Sequence, residues 1–177
     1  PAVDKDDIET ELRKLCDDRA RWLQNADEAA VEGGKEPTVA DMLVQIAFDE
    51  AELCHDKNQN AFATVQVDGH WETSPVRSRG FRLWLRRRLR EEHERSAYSD
   101  ALGTAVEEVE AKALFEAPEA EAQVRLAWHE GAIWLDLADD GWRTVRITSQ
   151  GWQVVPDKPP VRFIRPRGLL PLPVPER

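Results

Sequence analysis

The sequence predicts an α+β domain in which helices come first and a small antiparallel sheet comes last. Apolar residues recur at the 3.6-residue helical period through much of the first 115 residues. Between two short strand-like runs, the pair Asp68-Gly69 indicates a tight hairpin. From Gln123 onward the apolar period changes to two, which is typical of strands. The predicted order is N-terminal helices, a β-hairpin, two helices and an antiparallel β-meander.

Two helices are expected before the hairpin. The first spans residues 4–32 within an acidic helical segment at residues 1–34, and Gly33-Gly34 ends it. The second follows Thr38, which fits a capping box with Asp41, and runs to a polar turn at residues 55–58. The apolar stripe of the first helix consists of Ile8, Leu12, Leu15, Trp22 and Leu23. The apolar side of the second consists of Val39, Leu43, Ile46, Ala47 and Leu53.

The hairpin and the helix that begins near Tyr98 follow from local signals. The hairpin strands cover residues 61–67 and 70–73, separated by the Asp68-Gly69 turn. A helix with Ser99 as its N-cap is expected after Tyr98. The core candidates in the hairpin are Phe62, Val65 and Val67. Those in the helix are Leu102, Ala105, Val106, Val109, Ala113 and Leu114.

Glycines at positions 131, 141 and 151 divide the last part of the chain into short strands. Strands are expected at residues 124–128, 133–137, 142–147 and 152–155, with residues 161–164 closing the set. The core domain is therefore expected at residues 38–157. Residues 158–177 are rich in proline and arginine and are expected to be a tail or linker. Such an ending, and the start at Pro1, lead us to expect a piece of a longer protein.

The net charge of −10 is unevenly distributed. Residues 1–56 carry 16 acidic and 6 basic side chains, whereas residues 57–177 carry 18 of each. Eight of the basic residues fall within residues 77–95. A neutral body with a concentrated arginine cluster is compatible with an anionic partner, which a uniformly acidic chain would repel.

Composition also excludes several classes of protein. No apolar run approaches the ~18 residues of a membrane span, and no signal-peptide pattern is present, so no membrane partner is expected. Two cysteines, Cys16 and Cys54, cannot build a disulfide framework, which favours a cytoplasmic protein with reduced thiols. The four histidines lack zinc-ligand spacing, so no metal or other cofactor is expected.

Residues 77–95 predict an amphipathic helix with a basic face. Ser78 is the expected N-cap, and Phe81, Trp84, Leu85 and Leu89 form the apolar stripe. The arginines expected to contact nucleic-acid phosphates are Arg77, Arg79, Arg82, Arg86, Arg87 and Arg90. DNA is favoured over RNA as the partner. Two other interpretations remain open: a solvated face whose arginines pair with glutamates, and a surface for an acidic protein.

Trp134 is the expected base-stacking residue among four tryptophans of the meander. Alternation places it opposite Ile133 and Leu135, which makes it the best candidate for an exposed ring. The ordinary alternative is packing of all four rings. No catalytic residue is predicted, because turn chemistry accounts for the carboxylates at positions 139 and 140.

Six segments of the chain occur in an order that resembles a known family. They are VDGHWET (67–73), PVRSRGFRLWL (75–85), EAKALF (110–115), WLDLAD (134–139), GWQVV (151–155) and PVRFIRPRGLLPLP (160–173). Together these resemble the region upstream of the P-loop ATPase module in phage- and mobile-element-encoded ATP-binding proteins of the primase–helicase type. The resemblance covers about residues 38–177, and Cys54 departs from it where an aromatic residue is expected.

The resemblance implies an accessory region of a DNA-replication ATPase, with the ATPase domain as a C-terminal partner starting shortly after residue 177. No Gly-x-x-x-x-Gly-Lys-Ser/Thr occurs here, so no residue of this chain is expected to hydrolyse ATP. The expected function is non-catalytic engagement of nucleic acid through the Arg-rich helix. The alternative is a protein-interaction or homo-oligomerisation module that uses the N-terminal amphipathic helix.

Overall fold

Residues 36–156 and 158–176, which the computed structural model describes, contain three helices and nine strands in an α+β fold, as predicted. The predicted helix at residues 4–32 and Cys16 lie outside the described residues. The helices are α1 (Val39–Glu50), α2 (Arg79–His93) and α3 (Ser99–Phe115). The strands are β1 (Glu52–His55), β2 (Ala61–Val67), β3 (His70–Pro75), β4 (Ala122–Gln123), β5 (Leu126–His129), β6 (Ala132–Asp136), β7 (Thr144–Thr148), β8 (Gly151–Val155) and β9 (Arg162–Phe163).

Helix α1 begins where the sequence predicts it. The backbone N–H of Asp41 donates to the Thr38 hydroxyl at 3.2 Å, and the N–H of Thr38 donates to the Asp41 carboxylate at 2.8 Å. These two bonds complete the predicted capping box and satisfy donors that the first helical turn leaves free.

The end of α1 differs from the prediction, because residues 52–55 form strand β1 instead of a last helical turn. Ala51 has extended backbone angles and ends the helix. Cys54 then pairs with Phe62 of β2, and Leu53 pairs with Ala63. Leu53 has the spacing of a helical residue, and for that reason the sequence predicted a longer helix. Hydrogen bonds to β2 stabilise an extended backbone here, and the local sequence does not reveal this distant partner.

Strands β1, β2 and β3 form an antiparallel sheet in that order, which we call the first sheet. Its β2–β3 turn is the predicted one, with φ of 46° at Asp68 and 90° at Gly69, as a two-residue hairpin of this type requires. Alternation places Phe62 and Thr64 on one face of β2. The residues of the other face that join the helices are Ala61, Ala63 and Val65.

The three helices pack together on one face of the first sheet and build the main core. Full burial of a leucine or phenylalanine contributes about 1.5–3 kcal/mol to stability, so this core dominates the folding of the region. Its largest buried side chains are Leu43, Val76, Phe81, Leu85, Leu89, Val106 and Val109. Ser99, predicted as the N-cap of α3, is instead its first helical residue, and Tyr98 occupies the cap position without a side-chain hydrogen bond.

Strands β5, β6, β7 and β8 form the predicted antiparallel meander, which we call the second sheet. The turn at Glu130-Gly131 has φ of 47° and 77°, which again matches a two-residue hairpin. The expectation that residues 161–164 close this meander is wrong. Strand β9 pairs in parallel with β4, as Ala122 with Arg162 and Gln123 with Phe163, because the two segments meet through long-range packing.

One face of the second sheet is apolar and largely open. Trp128 is 71% exposed, Leu126 is 53% exposed and Ile133 is 40% exposed. Alternation and strand register place these three side chains on the same face. Residues 172–175 lie against one end of this face, where the backbone N–H of Leu172 donates to the carbonyl oxygen of Leu137 at 2.7 Å.

The Pro- and Arg-rich end of the chain is attached to the body up to at least residue 172. Phe163 is 4% exposed and packs with residues of the second sheet. The chain divides between Pro37 and Thr38, and Thr38–Arg177 form one unit without a break at the predicted boundary near residue 157. Within the described residues, no helix combines the length and apolarity needed to cross a bilayer.

Candidate nucleic-acid interface

Helix α2 forms where residues 77–95 predict it, and its cap and apolar stripe fix its orientation. The Ser78 hydroxyl accepts a hydrogen bond from the backbone N–H of Phe81 at 3.1 Å. The Trp84 indole N–H donates to the carbonyl oxygen of Gln66 at 3.3 Å and ties the helix to the first sheet. The predicted stripe of Phe81, Trp84, Leu85 and Leu89 is fully buried. The opposite face of α2 must therefore lie in solvent.

Four arginines occupy the exposed face, and we call them the open ridge: Arg79, Arg82, Arg86 and Arg90. Their spacing of three, four and four residues keeps them on one side of the helix over about 16 Å of its axis. No ion pair or side-chain hydrogen bond connects these guanidinium groups to any part of the chain that the structure describes. Leu83, 52% exposed, lies on the same side. The open ridge thus presents four fixed positive charges to solvent.

Arg77 and Arg87, also predicted to contact phosphates, are each held by carboxylates. Arg77 makes a two-point contact with Glu110 of α3, in which its Nε lies 2.6 Å from Oε1. Arg87 donates to Asp68 and to Glu91, both at 2.8 Å. These bonds raise the pKa of both arginines, and the bond to Arg87 lowers the pKa of Asp68. Neither arginine is a free charge, although both are more than half exposed.

Arg88 is the centre of a carboxylate cluster that the sequence did not reveal. It donates to both oxygens of Glu50 on α1 at 2.7 Å, and to Glu91 at 2.7 Å, and it also contacts Glu92. The hydrogen bond from Arg88 lowers the pKa of Glu50, while the hydrogen bond with Glu50 raises the pKa of Glu92. Glu91 and Glu92 are thereby drawn towards Arg87 and Arg88 and not towards the open ridge.

The prediction that Trp134 presents an exposed stacking ring is wrong. Trp134 is 7% exposed and packs against Ala127, Ala132 and Phe163 in a second, smaller core. Its indole N–H has no hydrogen-bond partner among the described residues. Alternation correctly separated Trp134 from Ile133, but the face of the sheet that carries Trp134 is the covered one. The exposed tryptophan of the meander is Trp128.

The arginines near the end of the chain do not form a second free cluster. Arg165 donates to both carboxylate oxygens of Asp136 and stacks over the Trp142 ring at 3.7 Å. Arg162 is only 25% exposed and lines a cavity between the two sheets. Arg167 is exposed. The positive charge available to an external partner is therefore concentrated on α2.

Asp139, His55 and His70 have structural partners within the protein. Asp139 accepts hydrogen bonds from the backbone N–H of Arg143 at 3.0 Å and from its Nε at 2.6 Å. His55 contacts the carbonyl oxygen of Ala113 at 2.9 Å, and His70 contacts Glu72 at 2.8 Å. Across residues 36–156 and 158–176, no three His, Cys, Asp or Glu side chains come together as a metal site.

Comparisons with family models, with curated proteins and with solved structures gave no match. The resemblance to the region upstream of a primase–helicase-type ATPase therefore rests on the sequence segments alone.

Proposed function

We propose that this chain is a non-catalytic module that holds nucleic acid, most simply DNA, by its phosphate backbone along the open ridge of α2. The observation that carries the proposal is that four exposed arginines share one helix face and have no carboxylate partner among the described residues. The resemblance to an accessory region of a replication ATPase supports the same proposal. In that setting the module would position DNA for a motor domain elsewhere in the protein.

The contrast between paired and unpaired arginines supports phosphate binding over a merely solvated helix face. Arg77, Arg87 and Arg88 each form an ion pair with a carboxylate of another element. Arg79 and Arg82 form no such ion pair with the described residues, so their guanidinium groups are available to an external anion. Arginine also presents several N–H donors to a phosphate, which suits a backbone contact that is independent of base sequence.

Affinity for short single- and double-stranded DNA, measured by fluorescence anisotropy at about 50 mM salt, tests the proposal. Backbone contacts release counterions, so four contacts predict a loss of about 50- to 150-fold in affinity between 50 and 200 mM salt. The matched variants are Arg82→Gln with Arg86→Gln on the open ridge, and Arg77→Gln with Arg87→Gln among the paired arginines. Absence of binding to either DNA at low salt contradicts the proposal.

A protein-interaction module is the second candidate function, and the exposed apolar face of the second sheet favours it. A soluble protein seldom leaves Leu126, Trp128 and Ile133 open on one face without a partner. A second copy of the chain is the occupant for this face, because an apolar surface is complementary to itself across a twofold axis. The expected result is a mass that rises with concentration in light scattering and falls in Trp128→Ser. The predicted role of the N-terminal amphipathic helix lies outside the described residues.

A further inference from the structure

Leu83 lies in the middle of the open ridge. It follows Arg79 by four residues and precedes Arg86 and Arg90 by three and seven. At about 3.6 residues per turn, these spacings place Leu83 within about 60° of all three arginines around the helix axis. Its side chain is 52% exposed and is not part of the buried stripe. The outermost side of α2 therefore combines cationic groups with one apolar group.

The basic face of α2 occupies about its first three turns. From Arg79 to Arg90 the helix contains no acidic residue, and its two glutamates, Glu91 and Glu92, come after the open ridge. Both of these carboxylates contact Arg88. A partner with anionic groups on both sides of the helix therefore meets no carboxylate of α2 along this length.

A single strand is the poorer partner for this face. Proteins hold single strands largely by stacking the bases on exposed aromatic rings. Phe81 and Trp84, the Phe and Trp residues of α2, both belong to the buried stripe. The open ridge thus offers charge without a stacking surface. This favours a duplex, whose bases are already stacked on one another.

The dimensions of the open ridge match the major groove of duplex DNA. An α-helix with its side chains is about 10–12 Å across. The major groove is about 12 Å wide and admits a helix, whereas the minor groove is only about 6 Å wide. In the major groove, base edges lie opposite the middle of the helix face and the phosphates of both strands flank it. The one apolar group that the bases present there is the methyl group of thymine.

We propose that α2 enters the major groove of duplex DNA through its first three turns. The arginines of the open ridge contact the phosphates that border the groove, and Leu83 contacts thymine methyl groups. This mode of binding rests on the phosphate contacts proposed above for the same helix face. It adds to them the duplex, the groove and an apolar contact to the bases.

The test compares two short duplexes in fluorescence anisotropy: one of alternating A·T pairs, and the same duplex with uracil in place of every thymine. Each binding register of the first duplex presents methyl groups, and the second has none. The unaltered chain should bind the thymine duplex about fourfold more tightly for each methyl group that Leu83 contacts, which is the gain from burying one such group. Leu83→Ala should bind both duplexes equally.

Leu170→Ala is the matched control, because Leu170 is an exposed leucine outside α2. This variant should keep the preference for thymine. Leu83→Ala should fold as the unaltered chain does, since the side chain is half exposed and alanine has the highest helix propensity. Thermal unfolding of the two variants checks this directly.

Competition with small molecules identifies the groove. Methyl green, which occupies the major groove, should displace the chain from the duplex. Netropsin, which is also cationic but occupies the minor groove, should not. A single strand of the same length should compete less well than the duplex.

Equal affinity of the unaltered chain for the thymine and uracil duplexes overturns the groove assignment, as does a preference for thymine that persists in Leu83→Ala. Displacement by netropsin in place of methyl green, or tighter binding of the single strand, also overturns it. If Arg82→Gln with Arg86→Gln still weakens binding in any of these cases, phosphate binding along the open ridge stands without the groove. If that double variant binds DNA as the unaltered chain does, the phosphate contacts themselves are contradicted.

Discussion

Arg165 and Asp136 form a two-point ion pair inside the protein. The Nε and Nη2 atoms of Arg165 donate to the two carboxylate oxygens of Asp136 at 2.9 and 2.6 Å. The Asp136 side chain is 1% exposed and that of Arg165 is 15% exposed. Because Asp136 ends β6 and Arg165 follows β9, this pair fastens the Pro- and Arg-rich end of the chain to the second sheet.

Arg165→Met should destabilise the protein by about 3–5 kcal/mol, because it leaves a buried carboxylate without its partner. The free energy of unfolding in urea measures the effect. Arg167→Met, at an exposed position nearby, should change it by no more than about 0.5 kcal/mol. Adding Asp136→Leu to Arg165→Met should recover part of the loss. Equal stability of Arg165→Met and Arg167→Met would show that the ion pair between Arg165 and Asp136 does not fasten this segment.

Ser78→Ala should lower stability by about 1 kcal/mol, because the hydroxyl caps a free N–H at the start of α2. Ser99→Ala is the matched control, since Ser99 is the first residue of α3 and makes no cap hydrogen bond. Thermal unfolding of both variants gives the comparison. An equal loss at both positions would mean that the cap assignment at Ser78 is mistaken.

Trp134→Ala should cost about 3–5 kcal/mol, as expected when a large buried side chain is removed from a core. Trp128→Ala should have a much smaller effect on unfolding, because its ring is 71% exposed. Chemical denaturation of the two variants decides between the packing role of Trp134 and its predicted stacking role. A well-folded Trp134→Ala protein with weakened DNA binding would restore the latter.

Asp139→Asn should lower stability at neutral pH and flatten its dependence on acid. Burial raises the pKa of Asp139, but hydrogen bonds from the backbone and side chain of Arg143 outweigh burial and hold the pKa below its ordinary value. A carboxylate with a depressed pKa contributes stability that is present above its unfolded pKa and is lost as pH falls through its folded pKa, here below about pH 4. Stability measured between pH 2 and 7 should fall less steeply in the variant, at about pH 4 and below. Parallel profiles would contradict this role.

The helices of the described region could be predicted from the sequence because caps and apolar spacing within each helix specify them. Ser78 and Thr38 cap helices by bonds to residues three positions away, and the apolar stripe of α2 has the spacing of its own helix. Strand β1 could not be found in this way. Its four residues directly follow a helix and are too few to show a clear apolar alternation. They form a strand because they pair with β2.

The candidate site was only partly accessible to sequence reasoning. Spacing along α2 identified the face on which Arg79, Arg82, Arg86 and Arg90 lie. It could not show that Arg77 is neutralised by Glu110, 33 residues away, or that Arg87 reaches Asp68, because those contacts depend on packing. Period-two alternation likewise separated the faces of β6 without indicating which one the chain covers.

The slope of the logarithm of DNA affinity against the logarithm of salt concentration tests the central claim most directly. Four phosphate contacts predict a slope of about −3.6 on duplex DNA and about −2.8 on a single strand. Replacing Arg82 and Arg86 by glutamine should reduce its magnitude by about 1.8 and 1.4 respectively, whereas replacing the paired Arg77 and Arg87 should change it little. Equal slopes for the two double variants would contradict phosphate binding along the open ridge.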